Sequence, residues 1–446
     1  MGTRTFTVKR LMALSLLHAN DRPGQHAPSW YAASAHSFDE FPPLQGEQTF
    51  DIAIIGGGYS GLSSALHLAE NGYKVAVVEA HRVGWGASGR NGGQISSGLS
   101  PDQEKIETLV GKELAKQVYS LGNEAADTVR SLIKTHAIDC AYRPGVIEAN
   151  HRKHLDKGSA SYVEKMQRDY DCTSMEYLAP DALRQKLNSP DYSGGMLDSA
   201  SGHLHPLNFA RGLANAALAA SVKIFESSEV TAIEQGKNPN VKTASGEIKC
   251  NWAILACNGY IGDLNKSSAS RVLPLNNFII ATEPLDEDIA KSLITDREAV
   301  YDSRFVVNYF RLSEDNRMLF GGGENYGYRF PKDIKTFVRP KMLQIFPQLE
   351  SVKIDYGWGG TLGITQNRLP LFEITRGNIL NISGYSGTGV AMAVLAGKIA
   401  AEAVNGQMSR FDVMANLPTP KFPGGPLFRW PTMIAAMLWF SLRDRL

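Results

Sequence analysis

The chain has 446 residues, 43% of them hydrophobic and 20% charged, a composition that excludes a disordered chain and a disulfide-stapled miniprotein. Its 46 lysines and arginines against 45 aspartates and glutamates leave a net charge of +1, without the basic excess expected of a nucleic-acid binder. The four cysteines, Cys140, Cys172, Cys250 and Cys257, form no C-x-x-C pair, which points away from a metal site and toward a reduced, cytoplasmic protein.

In chain order, residues 1–47 carry no clear period and read as an N-terminal arm. Residues 8–17 faintly resemble a secretion signal, but the apolar run is short and no small-residue cleavage site follows. Residues 49–55 are a buried β run stopped by three glycines. Residues 59–71 place Leu62, Ala65, Leu66 and Ala69 at helical spacing, and 74–79 is a second β run. This β–α–β order within about 30 residues predicts a parallel sheet. Residues 101–190 read largely as charged amphipathic helices with short breaks. A helix follows over 206–220, then strands at 222–225 and 228–234, and a hairpin over 240–249 turning at Ser245-Gly246. Residues 252–257 form an apolar strand, 273–323 is strand-rich, 333–346 is helical, and strand 379–382 leads through a Gly-rich turn into a helix over 390–405. An apolar run at 430–440 is too short to span a bilayer and reads as a docking helix or a peripheral membrane contact.

The strands suited to one parallel sheet are separated by long insertions. The expected fold is therefore a Rossmann-type α/β domain built from 48–100, 200–264 and 352–415, with an inserted mixed-sheet α+β substrate domain from 101–199 and 265–351. Residues 416–446 form a docking tail.

The chemistry begins at Gly56-Gly57-Gly58-Tyr59-Ser60-Gly61, a G-x-G-x-x-G run that leaves a strand and opens a helix. Glu79 ends the next strand 18 residues beyond Gly61. Gly56 permits the tight turn, Gly58 lets a pyrophosphate approach the helix N-terminus, and Gly61 lets helix and sheet pack closely. Glu79 accepts hydrogen bonds from ribose hydroxyls. A second polar, Gly-rich stretch follows directly at 84–94, as a dinucleotide longer than NAD's adenosine half requires. The Gly-rich run 384–389 opens the last helix, whose free N–H groups suit negative charge on a reduced flavin.

With Gly86-Ala87-Ser88-Gly89-Arg90-Asn91-Gly92-Gly93-Gln94, Ala256-Cys257-Asn258-Gly259-Tyr260 and Gly384-Tyr385-Ser386-Gly387-Thr388-Gly389, the chain resembles the D-amino-acid oxidase-like, glycine/sarcosine oxidase-like amine oxidases that bind FAD. The resemblance runs from about residue 28 to the C-terminus. It implies that Gly56, Gly58, Tyr59, Ser60, Gly61, Glu79 and Ala80 hold the ADP half. Ser88, Arg90, Asn91, Gly92 and Gly93 line the ribityl and ring region. The Val230 backbone meets the adenine, and Gly259, Gly360, Gly387, Thr388 and Gly389 approach the ring. Stretches 142–145, 202–208, 416–418, 422–425 and 441–446 resemble members that oxidise the primary amine of a polyamine derivative, gamma-glutamylputrescine-like, to an aldehyde, releasing ammonia and hydrogen peroxide.

Three departures from the family pattern matter. Residues 358–365 lack the cysteine that anchors flavin covalently in some relatives, so FAD is expected to be noncovalent. Val390-Ala391-Met392-Ala393 replaces a lysine that holds substrate carboxylate, which favours a terminal amine over an α-amino acid. The lysine associated with oxygen reactivity is not evident near Met318–Gly323, which leaves molecular oxygen or a quinone as electron acceptor. A flavin-binding subunit without substrate chemistry of its own is a further alternative. No side chain is assigned as catalytic, since flavin N5 takes the hydride. Substrate-pocket candidates are Tyr301, Tyr309, Arg311, Glu324, Tyr326, Trp358 and Tyr385. His203 and His205 precede a helix, with His205-Pro206 read as a turn with a satisfied imidazole and a pocket role as the second reading.

Overall fold

A computed structural model describes residues 16–325, 327–375 and 377–423. Tyr326, the Glu324 side chain and the 430–440 segment lie outside the described residues. Among the described residues, no helix is long and apolar enough to cross a membrane.

Strands Ile52–Ile55, Val75–Val78 and Trp252–Leu255 are short apolar runs because both of their faces are covered. They lie in a six-stranded sheet that runs from Leu371–Thr375 through Ile379–Ser383, Trp252–Leu255, Ile52–Ile55 and Val75–Val78 to Lys223–Phe225. Every pairing is parallel except the first. Side-chain alternation divides the residues between two cores. Ile52, Ile54, Val75 and Val77 face helices Tyr59–Glu70 and Gly389–Val404. Ala53, Ile55, Ala76 and Val78 pack with Val241 and Ile248 of a four-stranded sheet. That smaller sheet contains the expected hairpin, Asn240–Lys242 against Gly246–Lys249. Its edge is Gly46–Thr49 from the end of the arm.

The third sheet begins at Ile354–Ile364 and Leu273–Thr282, passes through Met318–Asn325, Tyr309–Leu312, Ala299–Asp302 and Arg143–Ala149, and ends at Gly195–His203 and Gln94–Ile95. Helix Ile334–Ile345 covers its far face over Phe278, Phe310 and Phe320.

Two sequence expectations are corrected here. The tract 101–190 holds helices Gln103–Val110, Lys112–Thr135, Asp156–Tyr170 and Pro180–Lys186, but also strands Arg143–Ala149 and Met175–Leu178. Both pair with Gly195–His203, a long-range partner that no local period announces. Strand Ile354–Ile364, grouped by sequence with the nucleotide domain, instead pairs along its length with Leu273–Thr282 in the larger sheet.

Candidate active site and cofactor cradle

The turn after Ile52–Ile55 is built for close approach. Gly56 has φ +113°, and a Cβ there would lie 2.7 Å from the Ala256 carbonyl oxygen. A Cβ on Gly61 would lie 1.9 Å from the Gly56 oxygen, so helix and turn meet only through glycine. Gly58 caps helix Tyr59–Glu70 without a side-chain hydrogen bond, and the Tyr59 N–H donates to Ser88 Oγ at 3.0 Å. The hydroxyl of a downstream loop thus already sits at this helix N-terminus.

Glu79 is fixed from two sides. Its Oε2 accepts the Gly57 N–H at 2.7 Å and its Oε1 the His81 N–H at 2.9 Å. Burial pushes its carboxyl up to about 7, against the pull of these backbone donors. Asn91 ties the next loop together: its side chain donates to the Ala87 and Ser88 carbonyls and accepts the Gly93 N–H at 2.7 Å. Arg90 donates to the Trp85 and Gly359 carbonyls and pairs with Asp21 of the arm at 2.7 Å. Among the described residues, its buried Nη2 has no hydrogen-bond partner. Tyr385 shares a 2.7 Å hydrogen bond with Ser60, joining the first turn of helix Tyr59–Glu70 to the Gly-rich turn that precedes helix Gly389–Val404.

One cavity of about 530 Å³ connects these parts. Gly56, Gly58, Tyr59, Ser60, Glu79, Ala80, Ser88, Arg90, Asn91, Gly92, Val230, Gly360, Tyr385, Gly387, Thr388 and Gly389 line it. Gly61, Gly93 and Gly259 do not. Gly93 (φ +78°) presses on the Leu204 carbonyl, and Gly259 packs on the Leu362 backbone. Tyr119, Tyr162, Met166, Met175 and Met196 also line this cavity.

The substrate candidates divide. Tyr301 and Tyr309 line the cavity, and the Tyr309 hydroxyl donates to Asn277 at 2.6 Å. The Tyr309 ring covers Gly321 and Gly92, where Cβ atoms would lie 2.1 and 2.8 Å from it. Arg311 lies away from the lining. It is buried, and it donates to the Gly92 carbonyl at 2.8 Å, the Leu204 carbonyl at 2.9 Å and the Tyr31 hydroxyl at 3.2 Å. It therefore braces the loop behind the cavity. Trp358 is likewise 1% exposed, packs against Tyr31 and donates to the Arg90 carbonyl at 3.0 Å. His205 caps helix Pro206–Ala219 through an Asn208 N–H at 3.1 Å, and burial lowers its pKa to about 3. His203 bonds to the Arg297 carbonyl at 2.9 Å.

Sequence reasoning missed Glu148, Asp102, Phe305 and Arg368, all of which line the cavity. It also missed the arm's part, Asp21 on Arg90 and the Gln25 carbonyl on Trp85 Nε1 at 2.8 Å. A lone arginine inside a Gly-rich loop was the available signal for the first of these contacts.

These features fit a dinucleotide with an extended second half. Glycines stand where backbone must approach, a fixed carboxylate faces the first half, and a second helix N-terminus and an unpartnered guanidinium nitrogen stand near the other. The family described as FAD dependent oxidoreductase matches residues 51–403, and the chain belongs to it. It is 42% identical over 425 residues to gamma-glutamylputrescine oxidoreductase of Escherichia coli (strain K12), covering 95% of this chain and 99% of that protein. It is 38% identical over 418 residues to the probable oxidoreductase OrdL of Rhizobium meliloti (strain 1021), covering 94% and 97%. Among solved structures, glycine oxidase from Geobacillus kaustophilus shares the fold at TM-score 0.69 and 18% identity, covering 81% of this chain and 98% of that one.

Proposed function

We propose that this FAD-dependent oxidoreductase oxidises the terminal primary amine of a polyamine derivative such as gamma-glutamylputrescine. In the overall reaction, amine, oxygen and water give aldehyde, ammonia and hydrogen peroxide. The observation that carries the reading is the wall of tyrosines and methionines in the cavity, Tyr119, Tyr162, Met166, Met175 and Met196, which suits a long alkylamine. Val390, Ala391 and Met392 at the start of helix Gly389–Val404 are buried and apolar, so this segment offers no cation to a substrate carboxylate, although Arg368 lines the cavity over the Phe305 ring. The 42% identity to the Escherichia coli relative supports the same substrate class.

Bound flavin supplies the two-electron acceptor for hydride removal from the carbon next to nitrogen. The chain contributes position and exclusion of water. Asn91 and Arg311 hold the Gly92–Gly93 loop, Tyr309 lies against Gly92, and Trp358 and Arg90 fix the Gly359–Gly360 backbone. FAD is bound noncovalently in this reading, supported by the lack of cysteine in residues 358–370. Four unpaired cysteines support a cytoplasmic location.

The test is steady-state kinetics on gamma-glutamylputrescine, putrescine, sarcosine and D-alanine, with flavin bleaching followed under nitrogen and peroxide under air. The expected kcat/KM favours the long amines by at least about 100-fold, the cost of an unpaired carboxylate. Equal rates on sarcosine or D-alanine would overturn the substrate reading. Bleaching without peroxide would replace oxygen by another acceptor. Acid precipitation is expected to release yellow flavin into the supernatant.

A further inference from the structure

Strand register sets up a row of side chains along the cavity wall. Glu148 stands opposite Tyr301, and Tyr301 opposite Tyr309. Residues in direct register share a face. All three line the cavity, and Tyr309 lies against Gly92. At ~4.8 Å per strand, Glu148 is about 10 Å from that end.

The Tyr301 hydroxyl donates to Glu148 Oε2 at 3.0 Å. Among the described residues, Glu148 Oε1 has no hydrogen bond, and no lysine or arginine forms a salt bridge with this carboxylate. Asp102 occupies the N-cap of helix Gln103–Val110 but makes no capping hydrogen bond, and it lines the cavity instead. Around them stand the rings of Tyr119, Tyr162 and Tyr301 and the thioether of Met166. Glu148 is part-buried and Asp102 exposed, both at the cavity surface, where a carboxylate partly withdrawn from water gains from a cation beside it. Aromatic faces add attraction for the same cation.

We infer that this part of the cavity is a subsite for a second cationic group of the substrate, an alkylammonium, with Glu148 as its anchor and Asp102 as its neighbour. The inference rests on the amine-oxidation reading and deepens it. A diamine, or an aminoalkyl amide bearing a distal ammonium, places one nitrogen at the flavin end and its other charge at Glu148. Simple alkylamines lack the second contact. Burial and the charges of Asp102 and Asp302 push the Glu148 carboxyl up to about 7, so the anchor gains charge as pH rises through neutrality. The charged and titratable groups around it are Tyr301 on the same face, Asp302 on the opposite face of the sheet and paired with Arg304, Asp198, Asp102 with Lys105 nearby, Tyr162 and Tyr119.

The experiment compares kcat/KM for butane-1,4-diamine and butylamine in FAD-loaded wild type, Glu148→Gln and Asp102→Asn. Calorimetric titration with tetramethylammonium chloride runs alongside. Wild type is expected to prefer the diamine, with a ratio that rises between pH 6 and pH 8. Glu148→Gln is expected to lower that ratio by about tenfold or more, the range of one charged hydrogen bond, and to flatten its pH dependence. It also weakens tetramethylammonium binding. Asp102→Asn shifts both in the same direction and serves if Glu148→Gln loads FAD poorly. An unchanged ratio and unchanged cation affinity would overturn the subsite, as would equal losses on both amines, which would put Glu148 at the reacting nitrogen. If wild type turns over no amine but binds tetramethylammonium through Glu148, the function reading falls and the subsite stands.

Discussion

Replacing Glu79 by alanine separates cofactor recognition from fold integrity. In the protein alone the carboxylate accepts two backbone N–H groups, Gly57 at 2.7 Å and His81 at 2.9 Å. Truncation leaves both donors without acceptors beside a buried gap, at a cost of about 1–3 kcal/mol of folding stability for each unsatisfied donor. The loss specific to FAD in the proposed ribose role is one charge-assisted hydrogen bond, about 1.5–3 kcal/mol, or roughly 10- to 150-fold in affinity. Glutamine at this position retains one acceptor oxygen and should fall between alanine and wild type on both scales. The assay is quenching of tryptophan fluorescence as apoprotein is titrated with FAD, paired with urea unfolding of the same apoprotein. A variant that is destabilised yet binds FAD as wild type does would refute the ribose role and leave Glu79 a purely structural clamp on the Gly57 turn.

Arg311→Met is expected to cost at least about 2 kcal/mol in urea unfolding, because the Gly92 and Leu204 carbonyls lose a charged donor. FAD retention should fall with it, while the ratio of kcat/KM between long and short amines stays within about twofold; a selective loss on carboxylate-bearing substrates would return Arg311 to the pocket. His205→Asn tests the pH response. Burial lowers the His205 pKa from 6.5 to about 3, so the unfolded chain takes up a proton below pH 6.5 that the folded protein refuses. Stability is therefore complete above pH 6.5 and declines as pH falls, by about 2 kcal/mol at pH 5 for this group. His26 and His203 act in the same sense, whereas the raised carboxyls of Glu79 and Glu148 act in the opposite one. The difference between variant and wild type isolates His205: asparagine keeps the helix cap, and its unfolding midpoint should decline less between pH 7 and pH 5. Parallel decline in both proteins would contradict the assignment.

Which residues were legible in the sequence follows from how each one acts. Gly56, Gly58 and Gly61 act through their own backbone, within one turn joining a strand to a helix, so spacing alone exposes them. Glu79 is similar, because it ends the adjacent parallel strand and its carboxylate returns to Gly57. Arg311 is the opposite case. Its sequence neighbours are a strand, and its partners are carbonyls at Gly92 and Leu204 and a hydroxyl at Tyr31, contacts that only the tertiary fold creates. A charge in a strand-rich segment then looks like a pocket residue when it is a brace. Trp358 misleads for the same reason, being held by Tyr31 of the arm and the Arg90 carbonyl. Glu148 was hidden twice. Its strand, Arg143–Ala149, opens with Arg-Pro-Gly inside a tract dominated by helices, and it pairs in parallel with Ala299–Asp302, some 150 residues onward. Nothing local distinguishes this glutamate from one on a solvated surface. Its place beside Tyr301 in the cavity is a consequence of register, since a slip of one residue would turn its side chain to the opposite face. The cofactor end of the site is thus encoded in local backbone requirements. The end proposed to choose the substrate is encoded in sheet pairing.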